Sequence, residues 1–296
     1  MDGVRVLDSL FSFSGRTVAI TGGAGALPGE LARNLAALGL QVALLDKDED
    51  GAKLAAERIC SDGGTARGFA CDVLDPESVR DAHRAVRESL GPVDYLINGA
   101  GGNVAAGSTR VSSVEREDLR NIGAKDRSDT SGGPRTFFDI AVEDFRFVAD
   151  LNFLGTVIPT REFARNMAEA GSGAVLNFAS AGTITPLTKV GAYSAAKAAV
   201  GNVTKWLAVH LAPSGVRVNA LVPGFIMTEQ LRFLHVDQNT GEYTPRAKEV
   251  LAHTPMGRYG EPRDLVGATV WLLSEAASFV TGSLVVIDGG FTSYAI

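Results

Sequence analysis

Short apolar runs alternate with longer amphipathic stretches along the whole chain. Thr17-Val18-Ala19-Ile20 shows no polar-out alternation, as expected of a strand buried on both faces of a parallel sheet. Runs of this kind predict strands near residues 17–21, 41–45, 67–71, 93–98, 173–179, 216–222 and 283–287. Between them the spacing predicts helices near 27–38, 48–60, 76–90, 143–170, 191–212 and 262–275. Steady alternation of strand and helix predicts an α/β fold, a parallel sheet covered by helices on both faces, made by residues 1–296 as a single domain. Ligands of such sheets bind beyond the carboxyl ends of the strands. Asp46, Asn98, Ser180 and Pro223 all stand at such ends and are expected along one edge.

Two segments break the rhythm. Residues 102–141 are rich in Ser, Gly, Thr, Arg and Asp, have no sustained period and include Ser131-Gly132-Gly133-Pro134. A loop of that length in a compact domain is usually a lid or an insertion. Its root follows Asn98-Gly99-Ala100-Gly101, beside the predicted ligand edge, which favours a mobile substrate cover. The second irregular stretch runs from His235 to Thr244.

Composition narrows the field. At 296 residues and 45% hydrophobic the chain can bury one large core. A net charge of −6 without a basic run argues against nucleic acid as a partner. No apolar stretch is long enough for a bilayer, so no membrane association is expected. Met1 to Leu10 carries Asp2 and Asp8 rather than the basic-then-apolar layout of a signal peptide. Cys60 and Cys71, read as buried filler, make neither a disulfide framework nor a zinc spacing and fit a reducing cytoplasm. The four histidines are too dispersed to argue for a metal. His83 and His210 read as helix-surface or interface residues, and His253 and Arg258 as packing residues.

The first predicted strand runs into Thr21-Gly22-Gly23-Ala24-Gly25-Ala26-Leu27-Pro28-Gly29, and a helix follows. Glycines let the backbone approach a pyrophosphate, and a helix N-terminus offers free N–H groups and a positive dipole end. Asp46 closes the second strand, 24 residues beyond Gly22. An acid there accepts both ribose hydroxyls of NAD and repels the 2′-phosphate of NADP. Alone, each feature could be a turn or a helix cap, but strand, turn, helix, strand and acid in order point to dinucleotide binding, with NAD preferred over NADP. Ala26 and Pro28 replace glycines common in such loops; Ala26 requires a negative φ, and Pro28 fits a first helical turn.

Tyr193 and Lys197 are four residues apart, about one helical turn, and Ser180 lies 13 residues before the tyrosine. A Tyr-x-x-x-Lys alone could belong to any amphipathic helix. Beside a dinucleotide site it supplies a phenol to move a proton on or off an oxygen, an ammonium expected to lower that phenol's pKa, and a hydroxyl to hold the reacting oxygen.

With these residues in place the chain resembles the short-chain dehydrogenase/reductase family over roughly Phe11 to Tyr294. The resemblance rests on the glycine loop at Thr21, Asp72-Val73, Asn98-Gly99-Ala100-Gly101, Asn152, Ser180, Tyr193, Lys197, Pro223-Gly224, Thr228 and Asp288-Gly289-Gly290. It implies a Rossmann-type, doubly wound sheet of about seven strands. It makes Tyr193 the general acid/base, Lys197 its partner and a ligand of the nicotinamide ribose, Ser180 the holder of the reacting oxygen, and Asn152 the support of a proton-relay water. It places Gly22, Gly25 and Leu27 on the pyrophosphate, Asp46 on the ribose, Asp72 and Val73 at the adenine, Asn98, Ala100 and Gly101 along the central region, and Pro223, Ile226 and Thr228 at the nicotinamide. It also implies a substrate loop at about 226–256 and a homodimer or homotetramer paired through Phe145, Phe147, Phe153, Val200, Val203 and Trp206.

A narrower likeness, to the D-mannonate oxidoreductase (fructuronate reductase) branch, rests on five runs. They are Gly99 to Asn103, Leu187-Thr188-Lys189, Trp206 to His210, Thr228 to Leu234 and Leu251 to Arg258. It implies a sugar-acid substrate, whose carboxylate would suit Arg232 or Lys189, with Asn103 on a sugar hydroxyl; each could equally be a solvated residue. Two other readings stay open. One is a dehydrogenase of another polyol, hydroxy acid or keto substrate, retuned at Val104 and the insertion. The other is a non-catalytic nucleotide sensor, against which the complete set of acid/base residues argues.

Overall fold

The computed structural model describes residues 3–121 and 135–295. Seven strands form one wholly parallel sheet in the order β3-β2-β1-β4-β5-β6-β7. They are β1 Thr17–Thr21, β2 Gln41–Asp46, β3 Thr65–Ala70, β4 Tyr95–Asn98, β5 Gly173–Phe178, β6 Val216–Pro223 and β7 Leu284–Ile287. Every residue of β1 and β4 is buried, which explains why these strands read as continuous apolar runs.

The helices are α1 Gly3–Leu10, α2 Ala26–Ala37, α3 Glu49–Ser61, α4 Pro76–Leu90, α5 Val142–Ala170, α6 Gly191–Leu211, α7 Glu229–His235, α8 Pro245–Ala252 and α9 Val266–Leu273. One core packs α2, α3 and α9 on the sheet through Leu31, Leu35, Ile59 and Leu272, against Ile20, Leu44 and Ile97. The other packs α4, α5 and α6 through Val79, Val86, Phe163 and Met167, against Ala43, Leu96 and Val218. Full burial of one such aliphatic side chain contributes about 1.5–3 kcal/mol.

The predicted helices are present, with two changes. Around residue 262 a single 3₁₀ turn, Pro262–Leu265, precedes α9. The substrate loop expected at about 226–256 holds α7 and α8, and the irregular stretch from His235 to Thr244 joins them, closed by an antiparallel bridge between Val236 and Tyr243. These helices enclose a small core of Ala247, Val250 and Tyr259 beside Phe225, Met227 and Leu231. Thr228 and Thr244 cap them, their hydroxyls accepting from the Leu231 and Ala247 N–H groups.

Three surface assignments are corrected. Val200, expected at an interface, is fully buried against Ala220 and Val222. His83 is also buried, its ring tilted against Phe163 with centres 4.4 Å apart, and its Nδ1 lies 3.0 Å from Glu162. Cys60 is exposed rather than filler, whereas Cys71 is buried; both are unpaired thiols. His210 is exposed and stacks on Trp206. Arg258 pairs with Asp264 through both carboxylate oxygens, and His253 packs edge-on against Tyr294.

Candidate active site

The strand order reverses between β1 and β4, and there Thr21 stands level with Asn98. The Thr21 hydroxyl accepts N–H bonds from Gly99 and Ala100, both at 3.1 Å, so the two loops leaving the sheet are joined at their roots. Gly22 has φ +68°, and a Cβ on it would lie 2.8 Å from the Ala100 Cα; only glycine fits. Gly99 is equally confined, because a Cβ there would lie 2.7 Å from the Thr21 carbonyl oxygen and 2.8 Å from the Pro28 ring. Pro28 lies in the first turn of α2, where no intrahelical N–H is required, and Ala26 is not among the residues with positive φ.

Gly25 is the N-cap of α2 and offers no side-chain cap, so the first-turn amides remain open toward the crevice between the loops. The Asp46 carboxylate borders the same crevice, accepting from the Ala24 N–H at 3.0 Å and the Asp48 N–H at 3.0 Å. Asp72 accepts from the Leu74 N–H and pairs with Lys47 at 3.1 Å; chiefly the Leu74 bond, and then Lys47, hold its carboxyl below the usual range against partial burial. Val73 is buried under Gly155 of α5. This cradle of open amides, bare glycine backbone and a flanking carboxylate fits a dinucleotide.

Asn98 itself does not face the crevice. Its amide donates to Thr160 at 2.7 Å and to Asn177 at 2.8 Å, and Asn177 in turn donates to Thr204 at 2.9 Å. This buried ladder ties β4 and β5 to α5 and α6, and leaves the Asn98 Oδ1 buried without a partner among the described residues.

A second cluster lies one loop further on. A Cβ on Gly101 would meet Asn152 Oδ1 at 2.7 Å and Lys197 Nζ at 3.2 Å, so all three crowd one point. Asn152 is fully buried; its Oδ1 accepts from the Gly102 N–H, and its amide donates to the carbonyls of Gly102 and Val148. Lys197 is buried on α6 and donates to the Phe178 carbonyl at 2.7 Å. Its Nζ lies 5.7 Å from the centre of the half-buried Tyr193 ring. The Ser180 hydroxyl accepts from the Gly182 N–H at 3.2 Å and stands beside the Tyr193 phenol.

The expectation that Lys197 lowers the phenol is corrected here. Burial pushes Tyr193 above its ordinary value, with only the Ser180 hydrogen bond opposing it. Burial also lowers Lys197 to about 8, so each group is driven toward its neutral form.

Pro223 ends β6 beside β7, Ile226 is buried and bridges Gly260, and the Thr228 hydroxyl is committed to capping α7. Asn103 donates to the Ser108 hydroxyl at 2.7 Å, while its Oδ1 is buried without a partner among the described residues. Lys189 has φ +72°, the one left-handed non-glycine residue among those described, and its carbonyl accepts from the Thr109 N–H at 2.8 Å. Arg232 is exposed on α7, with no carboxylate partner among the described residues. Sequence reasoning missed Thr109 and the Phe178 carbonyl, which act through backbone groups that no residue type announces.

A short chain dehydrogenase family model matches residues 16–125, and an Enoyl-(Acyl carrier protein) reductase model matches residues 120–292. Uncharacterized oxidoreductase UxuB of Bacillus subtilis (strain 168) is 40% identical over 96% of this chain and 97% of its own length. The chain belongs to the short-chain dehydrogenase/reductase family. As a member it is an oxidoreductase of CH–OH groups.

D-threitol dehydrogenase of Mycolicibacterium smegmatis (strain ATCC 700084 / mc(2)155) is 30% identical over 97% of this chain and 96% of its own. Gluconate 5-dehydrogenase of Gluconobacter oxydans (strain 621H) is 30% identical over 96% and 97%. A crystal structure of a candidate D-mannonate oxidoreductase from Haemophilus influenza with bound NAD superposes with a TM-score of 0.87, at 37% identity over 96% of this chain and 97% of that one. A gluconate 5-dehydrogenase from Burkholderia cenocepacia J2315, in complex with NADP and tartrate, gives 0.78 at 27% identity over 97% and 99%. Both dinucleotides therefore occur among family members of this shape. No helix among the described residues is long and apolar enough to cross a membrane.

Proposed function

We propose that this family member uses NAD in preference to NADP to oxidise or reduce a secondary alcohol or ketone of a sugar acid, interconverting D-mannonate and D-fructuronate. The observation that carries the chemistry is the meeting of Asn152 and Lys197 at Gly101, with the Lys197 Nζ 5.7 Å from the centre of the Tyr193 ring. The bound nicotinamide supplies the hydride acceptor or donor. Tyr193, held neutral by burial, gives its proton to the developing alkoxide in reduction and regains it in the reverse direction. Ser180 orients the reacting oxygen. Lys197 binds the nicotinamide ribose hydroxyls and passes protons onward, and Asn152, while fixing Gly102, keeps one Oδ1 lone pair for the relay water. Asp72 and Val73 border the adenine, Ala100 and Gly101 the central cofactor, and Pro223, Ile226 and Thr228 the nicotinamide.

The substrate reading is supported by the sequence likeness to D-mannonate oxidoreductases, by the neighbour so described, and by the exposed guanidinium of Arg232, which has no carboxylate partner among the described residues and suits a carboxylate. Lys189 and Asn103 are the further candidates for the carboxylate and a sugar hydroxyl. The second reading, a neutral polyol, is favoured by the D-threitol dehydrogenase relative. Reduced-nicotinamide absorbance with D-mannonate and a panel of neutral polyols and hydroxy acids, using NAD and NADP in parallel, separates them. NAD-linked turnover of D-mannonate supports the sugar-acid reading, and turnover only of neutral polyols rejects it. Asp46→Ala is expected to raise the NADP/NAD ratio of kcat/KM at least ~10-fold; an unchanged ratio removes Asp46 from cofactor selection. The unpaired thiols are consistent with a reducing cytoplasm, and the assembly is read as a homodimer or homotetramer.

A further inference from the structure

Residues 102–109 leave the catalytic cluster and cross from α5 to the loop before α6. The crossing is fastened at both ends. Asn152 grips both backbone groups of Gly102, and the Lys189 carbonyl, four residues before Tyr193, receives the Thr109 N–H. The middle turns through a 3₁₀ helix, Ala105–Gly107, whose Gly107 lies so close to α5 that a Cβ would stand 2.7 Å from Val148. Asn103, on this stretch, has a buried acceptor without a partner among the described residues.

One residue gathers the crossing to the returning arm of the insertion. The Arg135 guanidinium donates to the carbonyls of Ala105 and Ala106, and lies 4.0 Å from Asp144 on α5. The Arg135 carbonyl accepts from the Arg110 N–H at 2.8 Å. Next to it the Thr136–Asp139 capping box fixes the start of the return to α5. The two nitrogens Nη1 and Nη2 take one carbonyl each, a forked contact that suits a guanidinium better than the point charge of an ammonium. We infer that residues 102–109 are a fixed strap forming one wall of the substrate pocket, and that Arg135 is the positioning residue that sets the strap for substrate recognition. The strap presents Asn103 and Val104, so it selects among polyhydroxylated substrates without touching the hydride-transfer step. This rests on the proposed reaction on a polyhydroxy substrate.

The test compares wild type, Arg135→Ala, Arg135→Lys, Thr109→Pro and Thr109→Val. The proline removes the N–H given to Lys189 together with the hydroxyl that Thr109 donates to the Val111 carbonyl at 2.7 Å, so Thr109→Val, which loses the hydroxyl alone, is its control and should keep the wild-type KM; the preceding Ser108, at φ −119° and ψ 151°, is already in the region a proline demands. Each is assayed on the panel member that wild type turns over best and on butan-2-ol, which carries no second hydroxyl for the strap to recognise. Expected for Arg135→Ala is a rise of ~10-fold or more in KM for the preferred substrate, with kcat and the KM for butan-2-ol and NAD within about threefold. Thr109→Pro should show the same split, and Arg135→Lys an intermediate one. Unchanged KM in both Arg135→Ala and Thr109→Pro overturns the proposal, as does an equal loss of kcat on both substrates. If wild type prefers a neutral polyol to every sugar acid, the sugar-acid reading fails, while the strap is judged by the same KM comparison.

Discussion

Tyr193 and Lys197 are the residues at which burial and chemistry conflict most. If Tyr193 is the acid/base, Tyr193→Phe keeps the ring packing, removes the transferable proton and should cut kcat by about 10²–10⁴ while NAD binding, followed by fluorescence quenching, persists. Retained turnover removes Tyr193 from the mechanism. Lys197 makes a stability prediction with a definite sign. Its ordinary value is 10.5, and burial lowers it to about 8 in the folded chain. Between these values the unfolded chain binds more protons than the folded one, so this group makes stability rise with pH there. Below about 8 the buried cation costs its full amount, roughly 3 kcal/mol from the shift. Lys197→Met should therefore be inactive yet more stable than wild type near neutrality, its advantage shrinking as pH climbs from about 8 toward 10.5. Calorimetric Tm differences across that range test it. The difference also cancels the opposing slope of Cys71 and Tyr259, which are raised to about 12 in both proteins. A constant offset in Tm would mean that Lys197 is not desolvated in solution.

Between residue and molecule lie the loops, where strain is stored. Lys189 holds a left-handed φ that costs a non-glycine residue roughly 1–2 kcal/mol, and it lies in the loop that carries the Thr109 bond. Lys189→Gly keeps that carbonyl and relieves the strain, offset in part by the added freedom of the unfolded chain. The variant should be as stable as wild type or up to about 1 kcal/mol more so; a loss of more than about 1 kcal/mol shows that the side chain, not the backbone, is the anchor. The element scale is also where reading the sequence succeeded and failed. The strands were readable because burial on both faces leaves uninterrupted apolar runs, as in Val42 to Leu45. The cofactor cradle was readable because only glycine fits where Gly22 meets Ala100. α7 and α8 were missed because they are 7 and 8 residues long, too short for a periodic signal, and α7 exposes Phe233 and Leu234. Their starts were nonetheless written in Thr228 and in Thr244-Pro245, a capping threonine and a proline at the first helical position. The order at the base of the insertion was hidden for another reason: it is built from backbone bonds to Asn152, Lys189 and Arg135, and such bonds leave no mark in composition. Ser131-Gly132-Gly133-Pro134 lies outside the described residues, so the expected mobile cover is addressed only through its fixed base.

At the scale of the whole molecule, apolar side chains stay exposed over both faces of the sheet, Leu38 and Leu54 at α2 and α3 among them. α5 and α6 pack side by side over the second core, and their outer surfaces carry Phe147, Leu154, Trp206 and Val209. Trp206 is 59% and Val209 78% exposed, whereas Val200 on the same helix is fully buried, so the apolar excess is not all core. Exposed aromatic and aliphatic residues on neighbouring helices form the kind of patch that marks an interaction surface. The second copy proposed here would stack its own α5 and α6 on this face across a two-fold axis, because an isologous contact lets one patch satisfy itself. It would also hold the helices bearing Asn152, Tyr193 and Lys197 rigid, which links assembly to catalysis. Replacing Trp206 and Val209 together by Glu places two charges at the centre of that contact. Loss of an aromatic anchor costs about 2 kcal/mol or more, enough to weaken association at least ~30-fold. Sedimentation velocity at micromolar protein should then show wild type as a dimer or tetramer and the double variant one step smaller. An unchanged sedimentation coefficient in the double variant would place the contact on another face, and a monomeric wild type would remove the homo-oligomer from the proposal altogether.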